Sequence, residues 1–299
     1  MSMWLFIAFL APVFYGWSSI FDNFLANQKF KNPLTLAFYT SLFNIVFLPI
    51  VFLIQKPTLP AFELFPIFVG LGLVNVLYLY PYYRGLQVED TSITISFFSF
   101  GRIFIPILAY FIIGEIITIP QYIGIFLIIM SGFFLSLSQS QLNFRFSNAF
   151  GYMMIAAFIV SLEGVLLKYL FEHGVQWSAA VGGEMAMSFL IIASFLIHAK
   201  FRKNVAMEFV NFKRNAHIFG IEEGFTFLAF SAEALAIKLA PVSLAKSIST
   251  FTPLFVLFYA FLFSKHFPFL FKEKIDSGSI IKKIVLFIIM IFGVLLLVS

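Results

Sequence analysis

The sequence predicts an all-α membrane protein of ten transmembrane helices arranged as two inverted five-helix repeats, and three observations carry that expectation. Hydrophobic residues make up 61% of the chain and charged residues 11%, with a mean hydropathy of +1.00, whereas soluble domains run at roughly 45–50% apolar and about 25% charged. The apolar residues gather into ten runs, each close to the roughly 20 residues that a helix needs to cross a bilayer. The last five runs repeat the pattern of the first five. Five is odd, so the second set enters the membrane from the opposite side.

Backbone polar groups in lipid must pair within their own element, which makes these runs helices and removes a strand reading of the Phe- and Ile-rich stretches. Span 1 is expected from Met3 to Leu25, with Tyr15, Ser18, Ser19 and Asp22 at helical spacing. No basic residue precedes it and no small-residue cleavage site follows it, so it reads as a retained helix rather than a signal peptide. Span 2 runs from Pro33 to Ile54. Span 3, Leu64 to Tyr83, carries Leu71, Asn75, Tyr78 and Tyr82 along one face, and span 4, Thr91 to Ile112, carries Ser92, Ser96, Ser99 and Arg102. Span 5, Ile119 to Leu137, completes a first unit at 1–140.

The second unit, 148–299, opens with span 6, Ala149 to Phe171, which holds Glu163 and Lys168; span 7, Trp177 to His198, holds Glu184. Span 8, Ala216 to Leu239, is the most informative. Its Glu222, Thr226, Ala229 and Glu233 follow spacings of four, three and four, and eleven residues at about 100° each leave only about 20° of drift, so the two acids share one face roughly 16 Å apart. Span 9, Val242 to Phe263, holds Lys246, and span 10 runs from Ile280 to Val298.

An ungapped shift of 151 residues, the separation of Ser92 from Ser243, also lays Ser96 on Ser247, Phe100 on Phe251, Phe104 on Phe255 and Ala109 on Ala260, with Ser99 on Thr250. Two such halves form an inverted repeat, an arrangement that places a substrate site near the bilayer midplane between them.

Several stretches together resemble the drug/metabolite transporter superfamily, specifically its ten-helix EamA type. They are YGWSSIFDNFLA in span 1, YRGLQVEDTSITISFFSFGRIFIPILAYFIIGEIIT across spans 3 and 4, and QYIGIFLIIMSGFFL in span 5. In the second half they are SLEGVLLKYL in span 6 and AIKLAPVSLAKSISTFTPLFVLFYAFLFSK across spans 8 and 9. The resemblance covers the whole chain and rests on the order and spacing of motifs that are each degenerate. It implies a transporter with cytoplasmic termini. The chain also departs from the pattern. The proline usual midway along the fourth helix is Pro253 in the second half, but Arg102 stands at the matching first-half position, with Pro106 one turn later. The Gly114–Glu115 pair that closes span 4 becomes Lys265–His266 after span 9, and the lysine often found late in the first helix is Asp22, whereas span 6 keeps Lys168. Altered charge in the core is a reason not to borrow a substrate from relatives.

An ionisable side chain at bilayer depth costs roughly 2.5 to 3.5 kcal/mol on insertion scales, so each is a functional candidate. Six acids, Asp22, Glu163, Glu184, Glu222, Glu223 and Glu233, face three bases, Arg102, Lys168 and Lys246. The expected substrate or ion pathway comprises Glu222, Glu233, Glu163, Glu184, Asp22, Arg102, Tyr15, Asn75, Tyr78, Tyr82 and Ser99. Removal from water disfavours the charged form of a carboxyl, which is what a proton carrier needs, and the same acid can then hold a proton or a cation. Tyr15, Trp17, Tyr39, Tyr78 and Tyr82 offer cation–π or stacking contacts. Plainer roles compete: helix–helix hydrogen bonding for the serine stripes, snorkelling for Lys168 and Lys246, internal ion pairing for Glu163, Glu222 and Arg102, rotation of Glu223 toward a neighbouring helix, and lipid-facing packing for most aromatics.

No catalytic or metal constellation stands out: the four His fall at span ends or in loops, without metal-binding spacing, and zero Cys excludes disulfides and thiolate sites. No cofactor is expected, and nucleic-acid binding is implausible because the basic residues flank the membrane. Of the 19 Lys and Arg, 14 lie in connections after odd-numbered spans, which by the positive-inside rule makes those connections cytoplasmic and puts both termini outside. This conflicts with the resemblance, and the size of the bias in short loops favours the charge count. The expected function is a multi-pass secondary transporter of small polar or cationic metabolites, proton-coupled, working by alternating access in a cell membrane such as a bacterial inner membrane. The alternatives are an uncoupled facilitator, an integral membrane enzyme or a structural membrane protein. Oligomeric state is not legible.

Overall fold

The computed structural model describes residues 3–88, 91–136, 148–267 and 280–298, all of it helix and connecting turn with no strand among the described residues. Ten rods account for it: α1 (Met3–Lys29), α2 (Pro33–Ile54), α3 (Phe62–Val88), α4 (91–113), α5 (Ile119–Ser136), α6 (Asn148–Glu172), α7 (Trp177–Ile197), α8 (Ala199–Leu239), α9 (Val242–Phe263) and α10 (Ile280–Val298). Seven are long and apolar enough to cross a membrane, while α5 and α10 contribute shorter apolar stretches. Leu137, Arg145, Lys272 and Lys274 lie outside the described residues, as does the side chain of Ser92.

The expected limits agree with these helices within four residues except at α3, which was expected to end at Tyr83 and runs to Val88, and at α8, which was expected to start at Ala216 and starts at Ala199; the expected end of span 5 lies outside the described residues. No Gly or Pro interrupts 199–217, and its Ala, Lys, Arg, Met and Glu are good helix formers, so the helix continues where the apolar pattern stops. Its 41 residues span roughly 60 Å, about twice the hydrocarbon thickness. The extra turns are anchored on the first two helices: the Tyr39 hydroxyl donates to the Val205 carbonyl at 2.7 Å, its ring stacks on Phe212 at 4.3 Å, and Asn211 donates to the Lys29 carbonyl at 2.7 Å.

Helix α1 packs against α8 and α9, α3 against α6 and α7, α4 against α5 and α6, α2 against α7 and α8, and α5 against α10. The last pair touches through backbone: a Cβ on Gly124 would lie 2.7 Å from the Gly293 carbonyl, and one on Gly293 would lie 2.9 Å from that of Gly124. Small residues let membrane helices approach this closely.

The Gly-Glu pair after α4 has a clear geometric role. Gly114 sits at φ 66° in the left-handed region, its N–H bonded to the Tyr110 carbonyl and that of Glu115 to the Ala109 carbonyl, a turn that closes the last carbonyls of a helix. The chain reversal delivers the Glu115 carboxylate to the start of α9, where it accepts from the Val242 and Ser243 amides at 2.7 and 3.0 Å. Those amides have no partner within their own helix, and the positive end of the helix dipole favours an anion there.

Candidate functional site

The polar stripes of α1, α3, α4, α6, α8 and α9 converge on one interior cavity with about 90 Å³ open to the centres of water-sized molecules. Of the eleven expected pathway residues, nine line it: Tyr15, Asp22, Tyr78, Tyr82, Ser99, Arg102, Glu163, Glu222 and Glu233. Ser18 and Ser19 also line it, and Thr226 joins Glu222 and Glu233 there, so the face expected on α8 is presented as one track. Asn75 lines a smaller neighbouring cavity of about 50 Å³, which shares Tyr15, Thr40, Tyr78, Glu163 and Thr226 with the first. Glu184 lines neither of these two; it is buried and accepts from Asn75 at 2.9 Å, leaving its second oxygen unpartnered.

At one end of the main cavity an ammonium is clamped between two carboxylates. Lys246 Nζ lies 3.0 Å from Glu163 Oε2 and 3.2 Å from Glu233 Oε2, with the Val160 carbonyl at 3.5 Å. Glu233 also accepts from Ser249 at 2.6 Å and from Tyr15 at 3.3 Å. Gly164 makes room for the lysine stem, since a Cβ there would lie 2.5 Å from Lys246 Cε. Arg102 donates to the Lys246 carbonyl at 2.9 Å, in the 3-10 turn at Gly101–Ile103 that interrupts α4. Internal ion pairing, the plainer role foreseen for Glu163, is thus what its geometry provides.

The other end is acidic. Asp22 accepts from Tyr82 at 3.0 Å and Tyr83 at 3.1 Å, and Tyr83 is bonded in turn to Thr40 at 2.8 Å. Glu222 Oε1 accepts from Ser18 at 3.0 Å and Thr226 at 2.8 Å, while its Oε2 has no partner. The adjacent Glu223, buried on the side of the second cavity, keeps one oxygen unpartnered as well. No Lys or Arg ion-pairs with Asp22, Glu222 or Glu223 among the described residues.

Lys168 belongs elsewhere. Its ammonium donates to the Ile237 and Ala240 carbonyls at 3.3 and 2.9 Å and so caps the C-terminus of α8, where a cation is favoured by the helix dipole. Among the aromatics, Tyr39 serves the α2–α8 contact, and Trp17 stacks on Tyr259 at 4.5 Å. Lys246, Tyr83, Thr40, Ser249 and Thr252 were not among the expected pathway residues although each lines the cavity or bonds one that does. Lys246 alone had a sequence signal, as a base within a span.

A multi-pass helical membrane protein with a charged, water-sized interior is what this fold and site define. Residues 2–137, the first five helices, match the model of the EamA-like transporter family, a likeness carried by that part of the chain. One solved crystal structure is similar over 99% of this chain and 96% of its own, with a TM-score of 0.67 and 14% identity, a likeness of fold. No curated protein sequence matches the chain.

Proposed function

We propose that this protein is a secondary transporter of small polar or cationic metabolites, proton-coupled, located in a cell membrane such as a bacterial inner membrane and working by alternating access between the units 1–140 and 148–299. The observation that carries this reading is the interior cavity lined by Asp22, Arg102, Glu163, Glu222, Glu233 and Lys246, since ionisable groups at bilayer depth are costly and mark substrate or ion pathways. The helix contacts support an inverted repeat. If helix n corresponds to helix n + 5, the α1–α8 contact has its counterpart in α6–α3, α4–α6 in α9–α1, and α2–α8 in α7–α3, while α2–α7 and α5–α10 map onto themselves. Rocking of one half against the other about such an axis exposes a central site to each side in turn.

Purified protein in proteoliposomes, offered amines, amino acids, nucleosides and sugars with and without a pH gradient, tests this directly. A transporter moves at least one of these solutes unchanged and does so faster when the gradient is imposed. Chemical conversion of a solute without net movement would replace this reading with that of a membrane enzyme, and movement indifferent to the gradient would reduce it to a facilitator.

A further inference from the structure

Lys246 shows what a bound ammonium looks like in this interior: carboxylate oxygens at 3.0 and 3.2 Å from two different helices, within a shell of hydroxyl and carbonyl groups. The opposite end of the same cavity presents a comparable set without the ammonium. Asp22 and Glu222 come from α1 and α8 and line the same cavity. Ser18, one helical turn before Asp22, donates to Glu222 at 3.0 Å, and the two acids are 6% and 2% exposed. Among the described residues neither has a cationic partner, and Glu222 Oε2 has no hydrogen-bond partner at all. Oxygen atoms buried without a partner are costly, and two acids that line one cavity with no cation beside them can be satisfied either by protons or by a cationic ligand.

We propose that the Asp22–Glu222 end of the cavity is the recognition site for an organic ammonium cargo, and that the carboxylates clamped by Lys246 are not. The body of the cargo is compact and apolar or aromatic, because the rings of Tyr78, Tyr82 and Phe98, with Leu79 and Ile95, face the same space. Tyr82 meets Tyr78 at 6.1 Å and Phe98 at 5.6 Å between ring centroids, so ring faces and edges are available beside the carboxylates, an environment that attracts an alkylammonium more than a hydrated ion. This assignment rests on the transporter reading above but concerns binding, so the two fail separately.

The test is binding of benzylamine, with benzyl alcohol and benzoate as neutral and anionic partners of similar shape, to the purified full chain in nanodiscs by calorimetry. The wild-type protein is expected to bind benzylamine at least ten-fold more tightly than either comparison compound, and Asp22→Asn and Glu222→Gln each to weaken it ten-fold or more. Equal binding of the amine and the alcohol by the wild-type protein, a measurement that needs no variant, overturns the assignment. Undiminished amine binding by both folded variants overturns it too. Amine binding that discriminates in this way in a protein that moves no solute leaves the site standing and removes the transporter reading. Solute movement without amine selectivity does the reverse.

Discussion

The ammonium of Lys246 lies 3.0 Å from Glu163 Oε2, with only 2% and 7% of the two side chains exposed, and it holds Glu233 on its other side at 3.2 Å. One cation therefore serves two carboxylates. Lys246→Met strands both, and stripping a buried ion of its partner typically costs about 3 to 5 kcal/mol, so this variant should melt well below the wild-type protein in detergent. Glu163→Gln leaves the Lys246–Glu233 pair and should lose less. Replacing Lys246 by Met together with Glu163 by Leu should recover part of the loss, because a whole buried ion pair exchanges for apolar groups at little net cost while Glu233 keeps Arg102 in the same cavity as a cation. A Lys246→Met variant that melts like the wild type would show that the clamp does not hold in the membrane protein.

Gly164→Ala probes the same clamp from behind. The added Cβ would lie 2.5 Å from Lys246 Cε and 2.9 Å from Cδ, distances that force the lysine stem to move. Displacing it loosens both ion pairs without removing a charge, so the expected melting temperature falls between those of the wild type and Lys246→Met. A variant as stable as the wild type would mean that the stem has a second route to both carboxylates.

Glu115 makes an equally local prediction. Its carboxylate caps the two amides that open α9, and losing such a cap costs about 0.5 to 2 kcal/mol. Glu115→Ala should lower the melting point modestly, and Glu115→Asp should not restore it fully, because the shorter side chain cannot reach both amides from the same turn. Equal stability of Glu115→Ala and wild type would remove the cap from the account of this fold.

The reach of sequence reasoning differs between helices and contacts. Most helix limits were legible within a few residues because the bilayer sets the length of an apolar run, and α8 was misjudged at its start because hydropathy reports burial in lipid whereas helix formation follows propensity and neighbours. The track Glu222, Thr226, Glu233 was legible because it depends only on the helical period. The pairing of Lys246 with Glu163 and Glu233 was not, because it requires α6, α8 and α9 to meet at one depth, and the 151-residue shift sets Lys246 on Ile95, which offers no hint of a charge. Lys168, for which snorkelling toward a helix end was the plainer role, stands 4.0 Å from Glu172 one turn on. It donates to the Ile237 and Ala240 carbonyls at the end of α8, backbone partners that no side-chain pattern reveals.

Orientation follows from charge. With 14 of 19 Lys and Arg in or beside the polar stretches that follow the odd-numbered apolar spans of the sequence, several of them on the amino-terminal turns of α8, both termini should lie outside the cytoplasm. A reporter active only in the cytoplasm and fused after Ser299 should be silent, and strong signal would restore the arrangement that the family resemblance implies.

Proton coupling assigns distinct behaviour to Glu222. Its Oε1 accepts from Ser18 and Thr226, it lines the cavity, and unlike Glu163 and Glu233 it is free of Lys246. Glu222→Gln keeps the shape and the acceptor but cannot ionise, and it strands no partner charge, so the variant should fold and melt like the wild type while losing uptake driven by a pH gradient. Exchange of substrate without a gradient should be weakened but present, since Asp22 remains. A sharp fall in stability would instead place Glu222 in an ion pair formed in another state of the transport cycle. A stable variant that remains fully coupled eliminates Glu222 as the proton carrier, and the same substitution at Glu163 and Glu233 then decides between the clamped carboxylates. Coupling carried there would require Lys246 to release one acid in each cycle, which Lys246→Met combined with Glu163→Gln would abolish.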